Sequence, residues 1–217
     1  MTRKALIVGA SGLVGGQLLD LLLHSADYSA VTALLRCPLD IQHPKLTQRS
    51  VDFEHLEVDA ADFPQTDDVF CCLGTTIKQA GSRAAFYRVD FHYIHEVARL
   101  ARRAGATQFL LVSSMGADPA SKFFYMRVKG ETETAIRQMS YPSASVFRPA
   151  YLTGQRRQQR PAEDLAGRLM QAVSFLMPKK YRPVAARAVA AAMLAQALRN
   201  PSGFHVIESD LKLTPGP

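Results

Sequence analysis

Short, continuous apolar runs alternate along the chain with longer stretches in which apolar residues recur at helical spacing. A continuous apolar run is typical of a strand buried on both faces, as in a parallel sheet covered by helices. The helical spacing predicts amphipathic helices between these strands. The predicted strands are residues 4–8, 30–35, a run around Ser50 and Val51, 68–73, 108–112, 144–147 and 204–207, and the predicted helices are residues 17–24, 86–104, 121–139, 162–177 and 184–199.

This alternation of strand and helix predicts an α/β protein with a doubly wound parallel sheet, the Rossmann fold. We expect residues 1–217 to form a single NAD(P)-binding domain. After about residue 152 the alternation weakens, and residues 152–217 are predicted to form a small, lid-like addition on the substrate side. In such folds the functional groups lie at the carboxyl ends of the strands.

Three glycines separate the first predicted strand from the first helix. Gly9, Gly12 and Gly15 stand at the spacing G-x-x-G-x-x-G. In dinucleotide-binding folds the first glycine allows a tight turn, the second lets the backbone approach a pyrophosphate, and the third lets helix and strand pack closely. The amino end of the helix then faces the phosphates. An ordinary glycine turn is the alternative, and the flanking strand and helix favour the dinucleotide site.

An arginine stands at the end of the second predicted strand. Enzymes that use NAD carry an acidic residue there for the ribose 2′-hydroxyl. Arg36 instead suits a 2′-phosphate through its planar set of donors, so NADP(H) is the predicted cofactor. A surface arginine without this role is the alternative, and the acidic Asp40 lies close by in the sequence.

A tyrosine and a lysine lie four residues apart on the predicted helix that follows the fifth strand. Tyr125 and Lys129 therefore share one face of that helix. A lysine ammonium favours the phenolate of a neighbouring tyrosine, which can exchange a proton with a carbonyl or an alcohol while hydride moves. Chance often produces this spacing, so its position after Ser113 and Ser114 is the better evidence. Either serine could hydrogen-bond the substrate oxygen, and a helix cap or a turn is the alternative role of both.

Eight short segments of the sequence indicate one protein family when they are taken together, although no single segment does so. They are GASGLVG at 9–15, VDFE at 51–54, CCLGTT at 71–76, AGS at 80–82, VD at 89–90, LVSSMGAD at 111–118, YMRVKGE at 125–131 and VFRPA at 146–150. With these segments the chain resembles an atypical short-chain dehydrogenase/reductase, and more closely the Tat-interacting oxidoreductase-like family. The resemblance runs from about residue 4 to about residue 150, with weaker support to residue 199.

The resemblance implies an NADPH-binding Rossmann fold and places several residues around the cofactor. It implies that Asp52 and Phe53 lie beside the adenine. It also implies that Leu73, Gly74 and Thr75 line the ribose and the pyrophosphate.

At the reacting end, the resemblance implies that Tyr125 is the proton acceptor and that Lys129 binds the nicotinamide ribose. Arg148 and Pro149 would flank the nicotinamide. Members of this family often carry a glycine next, and Ala150 in its place could narrow the substrate pocket. The predicted catalytic residues are Tyr125, Lys129 and Ser114, and the predicted cofactor residues are Gly9, Ser11, Gly12, Leu13, Val14, Gly15, Arg36, Asp52, Phe53, Leu73, Gly74, Thr75, Ser113, Tyr125, Lys129, Arg148 and Pro149.

Composition narrows the class of protein only a little. The formal net charge of +7 suits nucleic acid, a membrane surface or a phosphorylated ligand. The basic residues are spread along the chain, so a phosphorylated ligand is favoured and no nucleic acid or membrane partner is expected. The cluster of Arg156, Arg157 and Arg160 is interpreted as a solvated loop, with a substrate or nucleic-acid contact as the alternative.

Cysteine and histidine predict no metal site. Three cysteines without C-x-x-C spacing make neither a disulfide framework nor a zinc site, and Cys71 and Cys72 are interpreted as buried strand residues rather than redox groups. His92 and His95 are three residues apart on a helix, but no third ligand accompanies them. The first strand begins almost at residue 1, so neither a signal peptide nor an amino-terminal extension for binding partners is expected, and the cytoplasm is the predicted location.

Three functions fit these observations. The leading hypothesis is an NADPH-dependent oxidoreductase that reduces a small carbonyl compound with a Ser-Tyr-Lys site and exists as a monomer or a weak homodimer. The second is an NADPH-binding regulatory or sensor protein with little turnover. The third, a nucleotide-sugar epimerase or dehydratase, is disfavoured because the tail is short for a sugar-nucleotide domain. Fold alone does not identify a substrate.

Overall fold

The computed structural model describes residues 2–56, 62–154 and 183–209, and the backbone of 213–215. A 3₁₀ turn spans Phe53–His55, and a π-helical segment, Arg88–Tyr93, joins the third helix to the fourth. In chain order the strands and α-helices are β1 (Arg3–Val8), α1 (Leu13–His24), β2 (Tyr28–Leu35), β3 (Leu46–Ser50), β4 (Asp68–Cys71), α2 (Ile77–Ala80), α3 (Arg83–Tyr87), α4 (Ile94–Arg103), β5 (Gln108–Val112), α5 (Phe124–Gln138), β6 (Ser143–Arg148), β7 (Leu152–Thr153), β8 (Val184–Ala185), α6 (Ala186–Arg199), β9 (Gly203–Glu208) and β10 (Leu213–Pro215).

The main sheet has the strand order of a doubly wound fold. Within the described residues the order is β10-β9-β6-β5-β4-β1-β2-β3, and the short strands β7 and β8 pair separately. Neighbouring strands of the main sheet run parallel, except that β10 lies antiparallel to β9 at one edge. The order reverses between β1 and β4, so the loops that follow these two strands border the crevice in which doubly wound folds bind ligands. The predicted Rossmann fold is therefore confirmed.

Both faces of the sheet are covered, as continuous apolar strands require. In β1, Ala5 and Ile7 pack in a core cluster with α1 and α6. The alternate residues Leu6 and Val8 pack in a second cluster with α4. Because successive side chains of a strand point to opposite faces, a strand buried on both sides carries apolar residues at successive positions.

The predicted elements correspond closely to the observed ones, with differences where the sequence signal is weak. The third strand is Leu46–Ser50 rather than a run around Ser50 and Val51, because this polar edge strand carries no apolar pattern. The predicted helix 86–104 is interrupted by the π-helical segment. Gly105 has a φ of 99° and lies directly after Ala104, the capping residue of α4.

The tail differs from the predicted lid-like addition in its described part. β9 extends the main sheet beside β6, with Ser143 opposite Gly203 and Arg148 opposite Glu208. α6 packs in the same core cluster as α1. The reason is that the alanine-rich face of α6 and the apolar residues of β9 complete the two layers of the fold. The predicted helix 162–177 and the cluster Arg156–Arg160 lie outside the described residues.

Helices of membrane-spanning length and hydropathy are absent from the ranges that the structure describes.

Candidate active site

The glycine turn lies at the point where the strand order reverses. Gly9 has a φ of 81°, and a Cβ atom there would lie 2.5 Å from the carbonyl oxygen of Cys72. A Cβ on Gly15 would lie 2.1 Å from the carbonyl oxygen of Gly9. Both contacts are with backbone atoms that have little room to move, so these two positions require glycine. Gly12 is exposed, and a Cβ there would meet the Gly9 carbonyl oxygen at 3.1 Å.

The amino end of α1 is open to an anion. Gly12 caps the helix without a side-chain hydrogen bond, and the first turn holds no acidic residue. Backbone N–H groups and the helix dipole at such an end attract phosphate. Ser11 is exposed and Leu13 is partly buried, whereas the Val14 side chain lies in the core, so Val14 offers only its backbone. The turn and the helix end therefore fit the pyrophosphate of a dinucleotide.

The strand beside this turn ends at the predicted selector of the 2′-phosphate. Arg36 follows β2 directly, is exposed, and makes no hydrogen bond or ion pair with the described residues. Its guanidinium is thus available to a ligand. Asp40 is also exposed.

The residues predicted beside the adenine are held by their own neighbours. Asp52 caps the 3₁₀ turn, with Oδ1 accepting a hydrogen bond from the Glu54 N–H at 2.9 Å and Oδ2 lying 3.0 Å from Nδ1 of His55. The hydrogen bond with His55, aided by that from Glu54, lowers the pKa of Asp52. Phe53 is buried, with its ring centroid 5.7 Å from that of Tyr93.

A buried carboxylate in the π-helical segment connects the end of β4 with α5. Asp90 is fully buried, and its Oδ1 lies 2.8 Å from Nζ of Lys129. Its Oδ2 accepts a hydrogen bond from the N–H of Thr75 at 2.9 Å. A Cβ atom on the exposed Gly74 would lie 3.5 Å from both charged groups of the pair. Gly74 and Thr75 therefore border the Asp90–Lys129 pair, and Leu73 before them is partly buried.

The catalytic pair predicted on α5 lies at this carboxylate. Lys129 is buried; its burial lowers the pKa of the ammonium, but the Asp90 carboxylate and Tyr125 outweigh that effect and raise the pKa above its usual value. Lys129 therefore stays charged at neutral pH. Tyr125 is half-buried, with its ring centroid 5.3 Å from that of Phe86. Since Asp90 takes up part of the charge of Lys129, the field that Tyr125 experiences is weaker than that of an unpaired ammonium.

The two candidate serines after β5 differ in their surroundings. Ser113 is buried, and its hydroxyl donates a hydrogen bond to the carboxylate of Glu133 on α5. Ser114 is half-buried, and its hydroxyl makes a long contact of 3.4 Å with the carbonyl oxygen of Met115. Ser114 is thus the serine whose hydroxyl can turn to a ligand.

Arg148, predicted beside the nicotinamide, is held by two carboxylates. Its Nη2 donates to Glu133 at 2.6 Å and its Nη1 to Glu208 at 3.2 Å. Burial lowers the pKa of the guanidinium, but Glu133 and Glu208 outweigh it and raise the pKa. Pro149 follows in the chain and is buried, while Ala150 is half-buried.

The sequence reasoning missed two functional candidates, Asp90 and Glu133. Both are buried acids on helices, where a charged residue is expected to face solvent. One signal was available: Glu133 follows Lys129 by four residues, as Lys129 follows Tyr125, so all three share a helix face.

The cysteines and histidines considered as redox groups or metal ligands lie in other surroundings. Burial raises the pKa of the Cys71 thiol to about 12, which disfavours the reactive thiolate. The His95 ring stacks on Phe91 with a centroid distance of 5.9 Å, and His92 packs edge-on against Tyr87 at 5.1 Å. Three-residue groupings of His, Cys, Asp or Glu suited to a metal ion are absent among the described residues.

Known proteins resemble this chain in sequence and in fold. The model of a family described as NAD(P)H-binding matches residues 9–201. Protein HTATIP2 of Rattus norvegicus is 41% identical over 167 residues, which are 76% of this chain and 69% of that protein. Protein FMP52, mitochondrial, of Lodderomyces elongisporus is 32% identical over 169 residues, which are 74% of this chain and 71% of that protein.

A solved structure, MoeE5 in complex with UDP-glucose and NAD, superposes with a TM-score of 0.73 over 94% of this chain and 75% of its own. At 17% sequence identity this likeness concerns the fold. The family match and the geometry of the glycine turn agree on a nicotinamide dinucleotide as the ligand of the crevice.

Proposed function

The chain belongs to the NAD(P)H-binding family, an oxidoreductase-like family, and from this premise we propose that it is an NADPH-dependent reductase of a small carbonyl compound. The proposal rests on the charged, buried Lys129 beside Tyr125, where α5 meets the carboxyl end of β4. A buried ammonium held by a carboxylate costs free energy of solvation that a merely structural lysine on a surface helix does not. Its place at the crevice supports a role in binding and chemistry.

The proposed reaction transfers a hydride and a proton to a carbonyl group. NADPH, when bound, supplies the hydride to the carbonyl carbon. The Tyr125 hydroxyl gives its proton to the carbonyl oxygen, which becomes the alcohol, and solvent restores the proton to Tyr125. The hydroxyl of Ser114 donates a hydrogen bond to the same oxygen as negative charge develops there.

Lys129 and Asp90 act together on the cofactor side of this reaction. Lys129 remains protonated and, as the family resemblance implies, donates hydrogen bonds to the nicotinamide ribose. Asp90 fixes the ammonium at 2.8 Å and, through the Thr75 N–H, the loop after β4. The backbone at Gly9, Gly12 and the start of α1 would hold the pyrophosphate.

We also propose that the cofactor is NADPH rather than NADH. The exposed guanidinium of Arg36 at the end of β2 supports this choice, since it suits a 2′-phosphate. The family itself is described for both reduced nucleotides.

A regulatory protein that binds NADPH with little turnover is the second candidate. Asp90 and Glu133 favour it to the extent that they neutralise Lys129 and Arg148, the two cations expected near the nicotinamide. A nucleotide-sugar enzyme on the same fold is the third, supported by the fold of MoeE5 and its UDP-glucose complex.

Two further features of the protein stay predictions. The sequence favours the cytoplasm, whereas the FMP52 relative is named as a mitochondrial protein. Fractionation of the cells that produce the protein decides the location. The lid-like role predicted for residues 152–217 stays a prediction, and residues 155–182 of that stretch lie outside the described residues.

A cofactor-oxidation screen tests the proposed reaction. NADPH oxidation is followed with aldehydes, ketones and quinones, and each active compound is retested with Tyr125→Phe. Removal of the hydroxyl should lower the rate by about 10²–10⁴-fold while leaving NADPH affinity nearly unchanged. Tyr87→Phe on α3, whose ring stacks on Phe91, is the control and should keep the wild-type rate.

Full turnover by Tyr125→Phe would overturn the catalytic role of Tyr125. Tight NADPH binding without turnover of any compound in the screen would instead favour the regulatory candidate.

A further inference from the structure

A second buried carboxylate on α5 joins the ends of two neighbouring strands. Glu133 is 4% exposed and stands one turn beyond Lys129. It accepts a hydrogen bond from the Ser113 hydroxyl at the end of β5. It also accepts hydrogen bonds from Arg148 at the end of β6, from Nε at 3.1 Å and from Nη2 at 2.6 Å.

The same network reaches a third strand. Arg148 donates from Nη1 to Glu208, the last residue of β9, at 3.2 Å. The carboxyl ends of β5, β6 and β9 are therefore tied to the helix that carries Tyr125. This is the edge of the sheet at which the reacting end of a dinucleotide lies in doubly wound folds.

Fold stability alone does not account for such a network. Burying a charge pair costs solvation free energy, and well-packed apolar residues at the same positions are often as stable or more stable. Glu133 also takes the hydrogen of the Ser113 hydroxyl, so Ser113 has no hydrogen to donate elsewhere while Ser114 remains free to turn. The network thus assigns different tasks to the two adjacent serines.

We propose that Glu133 is a positioning residue for the nicotinamide end of the cofactor, acting through Ser113 and Arg148. The proposal rests on the cofactor binding proposed above and adds a residue to it. Glu133 fixes Arg148 where it can flank the ring, and it holds the end of β5 so that Ser114 faces the substrate carbonyl. Ser114 then donates the hydrogen bond to the substrate oxygen, and Ser113 has a positioning role through its hydrogen bond to Glu133.

Two ligands separate this role from a structural one. NADPH carries the nicotinamide ring, whereas 2′-phospho-ADP-ribose carries the rest of the cofactor without it. In Glu133→Gln the affinity for NADPH, measured by calorimetry, should fall about tenfold, since a charge-assisted hydrogen bond to Arg148 is lost. The affinity for 2′-phospho-ADP-ribose should stay within about twofold, because the glycine turn and Arg36 are untouched.

A matched control lies on the same helix. Glu131 pairs with Arg127 at 3.8 Å and is partly exposed, so Glu131→Gln should change neither affinity. If Glu133→Gln fails to fold, Ser113→Ala removes only one hydrogen bond of the network and should show the same selective loss at a smaller size. Ser114→Ala should keep both affinities.

Equal losses for both ligands, or no loss for either, would overturn the positioning role of Glu133. If the wild-type protein binds neither ligand, the proposed function is overturned as well. In that case the Glu131→Gln control should also bind neither ligand. A selective loss of NADPH affinity supports the role whether or not a substrate has been found.

Discussion

Two cationic side chains of the candidate site, Lys129 and Arg148, are each paired with a buried carboxylate. Lys129 lies 2.8 Å from Asp90, and Arg148 lies 2.6 Å from Glu133. Removing one member of such a pair leaves an uncompensated charge inside the protein, which is strongly destabilising. We therefore expect the two members of each pair to be kept or replaced together in this family. A single neutral substitution removes one charge and also changes the position of the charged partner that remains.

The proposed preference for NADPH should depend on Arg36. A charge-assisted hydrogen bond is worth roughly 1.5–3 kcal/mol, so Arg36→Ala should weaken NADPH binding about tenfold or more and leave NADH binding nearly unchanged. Calorimetric titration with each nucleotide measures the ratio. Asp40→Ala is the control and should not weaken NADH binding. An unchanged preference in Arg36→Ala would disprove the role of Arg36.

A carboxylate at the opposite end of the sheet should make stability depend on pH. Asp68 is fully buried, and its burial, partly offset by the hydrogen bond that it accepts from Tyr28 at 2.6 Å and by Arg3, raises the pKa of the carboxyl to about 6. Because the folded-state pKa is above the unfolded one, the contribution of Asp68 is most favourable below about pH 4 and is lost as the pH rises through about 6.

Asp68→Asn should remove this dependence. Relative to the variant, the wild type should lose about 2 kcal/mol of unfolding free energy between pH 4 and pH 6.5, which is most of the roughly 3 kcal/mol that a shift of two pKa units represents. Urea unfolding at several pH values measures it. Asp20→Asn, at an exposed residue of α1, should keep the wild-type pH profile. Parallel profiles for wild type and Asp68→Asn would contradict the prediction.

At the residue scale, sequence patterns predicted the groups that have a recognisable neighbour along the chain. The glycine turn, Arg36 and Lys129 each follow from a motif or from a position at a strand end. Asp90 was predicted as part of a helix but not as a buried partner of Lys129, because the two are 39 residues apart in number and meet only when α5 packs against the π-helical segment.

At the scale of elements, α5 is held on two sides besides the strand ends that Glu133 joins. The Thr132 hydroxyl donates to the carbonyl oxygen of Asp90 at 2.7 Å, which joins α5 to the π-helical segment. A π-helical segment widens a helix locally and is frequent at functional sites. On another side, Gly130 packs against the loop between β5 and α5. Helical periodicity predicted α5 well, whereas the π-helical segment has no such signal.

The contact at Gly130 should tolerate no side chain. A Cβ atom there would lie 2.2 Å from the backbone nitrogen of Pro119 and 2.3 Å from the carbonyl carbon of Asp118. Gly130→Ala gains up to about 1 kcal/mol of helix propensity but forces this loop to move, and overpacking costs about 1–3 kcal/mol. We therefore expect a net loss of stability, measured by urea unfolding, and a lower rate because the loop carries Ser114.

Gly16 provides the matched control on α1. A Cβ atom there would meet the Ala10 carbonyl oxygen at an ordinary 3.5 Å. Gly16→Ala should therefore be neutral or stabilising. Equal stability changes in the two glycine variants would disprove the tight contact at Gly130.

At the scale of the whole molecule, the sequence predicted the sheet and its central crevice but not the place of the tail. Strand and helix alternation sufficed to predict a doubly wound parallel sheet, because strands joined by helical crossovers run parallel and each crossover has a fixed hand. The strand after α6 could have covered the crevice or extended the sheet, and a short apolar run such as 204–207 fits both. In the structure, β9 pairs with β6 and so extends the sheet. The sequence of a short apolar strand does not show which neighbouring strand it pairs with.

The helix α6 should be essential for stability. Met193 is fully buried in the core cluster that contains Leu18 and Leu22 of α1. Met193→Ala should cost about 2–5 kcal/mol of unfolding free energy, since it leaves a cavity between the helices. Leu198→Ala, at a 42% exposed position of the same helix, should change it by less than about 0.5 kcal/mol. Similar urea midpoints for the two variants would contradict this packing.

The packing of α6 on α1 also sets the timing of folding during synthesis. The leucine stripe of α1 leaves the ribosome early, but its cover, Ala186–Arg199, is translated more than 160 residues later. At about 5–20 residues per second, the nascent chain therefore carries an uncovered apolar stripe for roughly ten seconds or longer. During that interval the exposed stripe of α1 is prone to aggregation, because its packing partner α6 has not yet been synthesised.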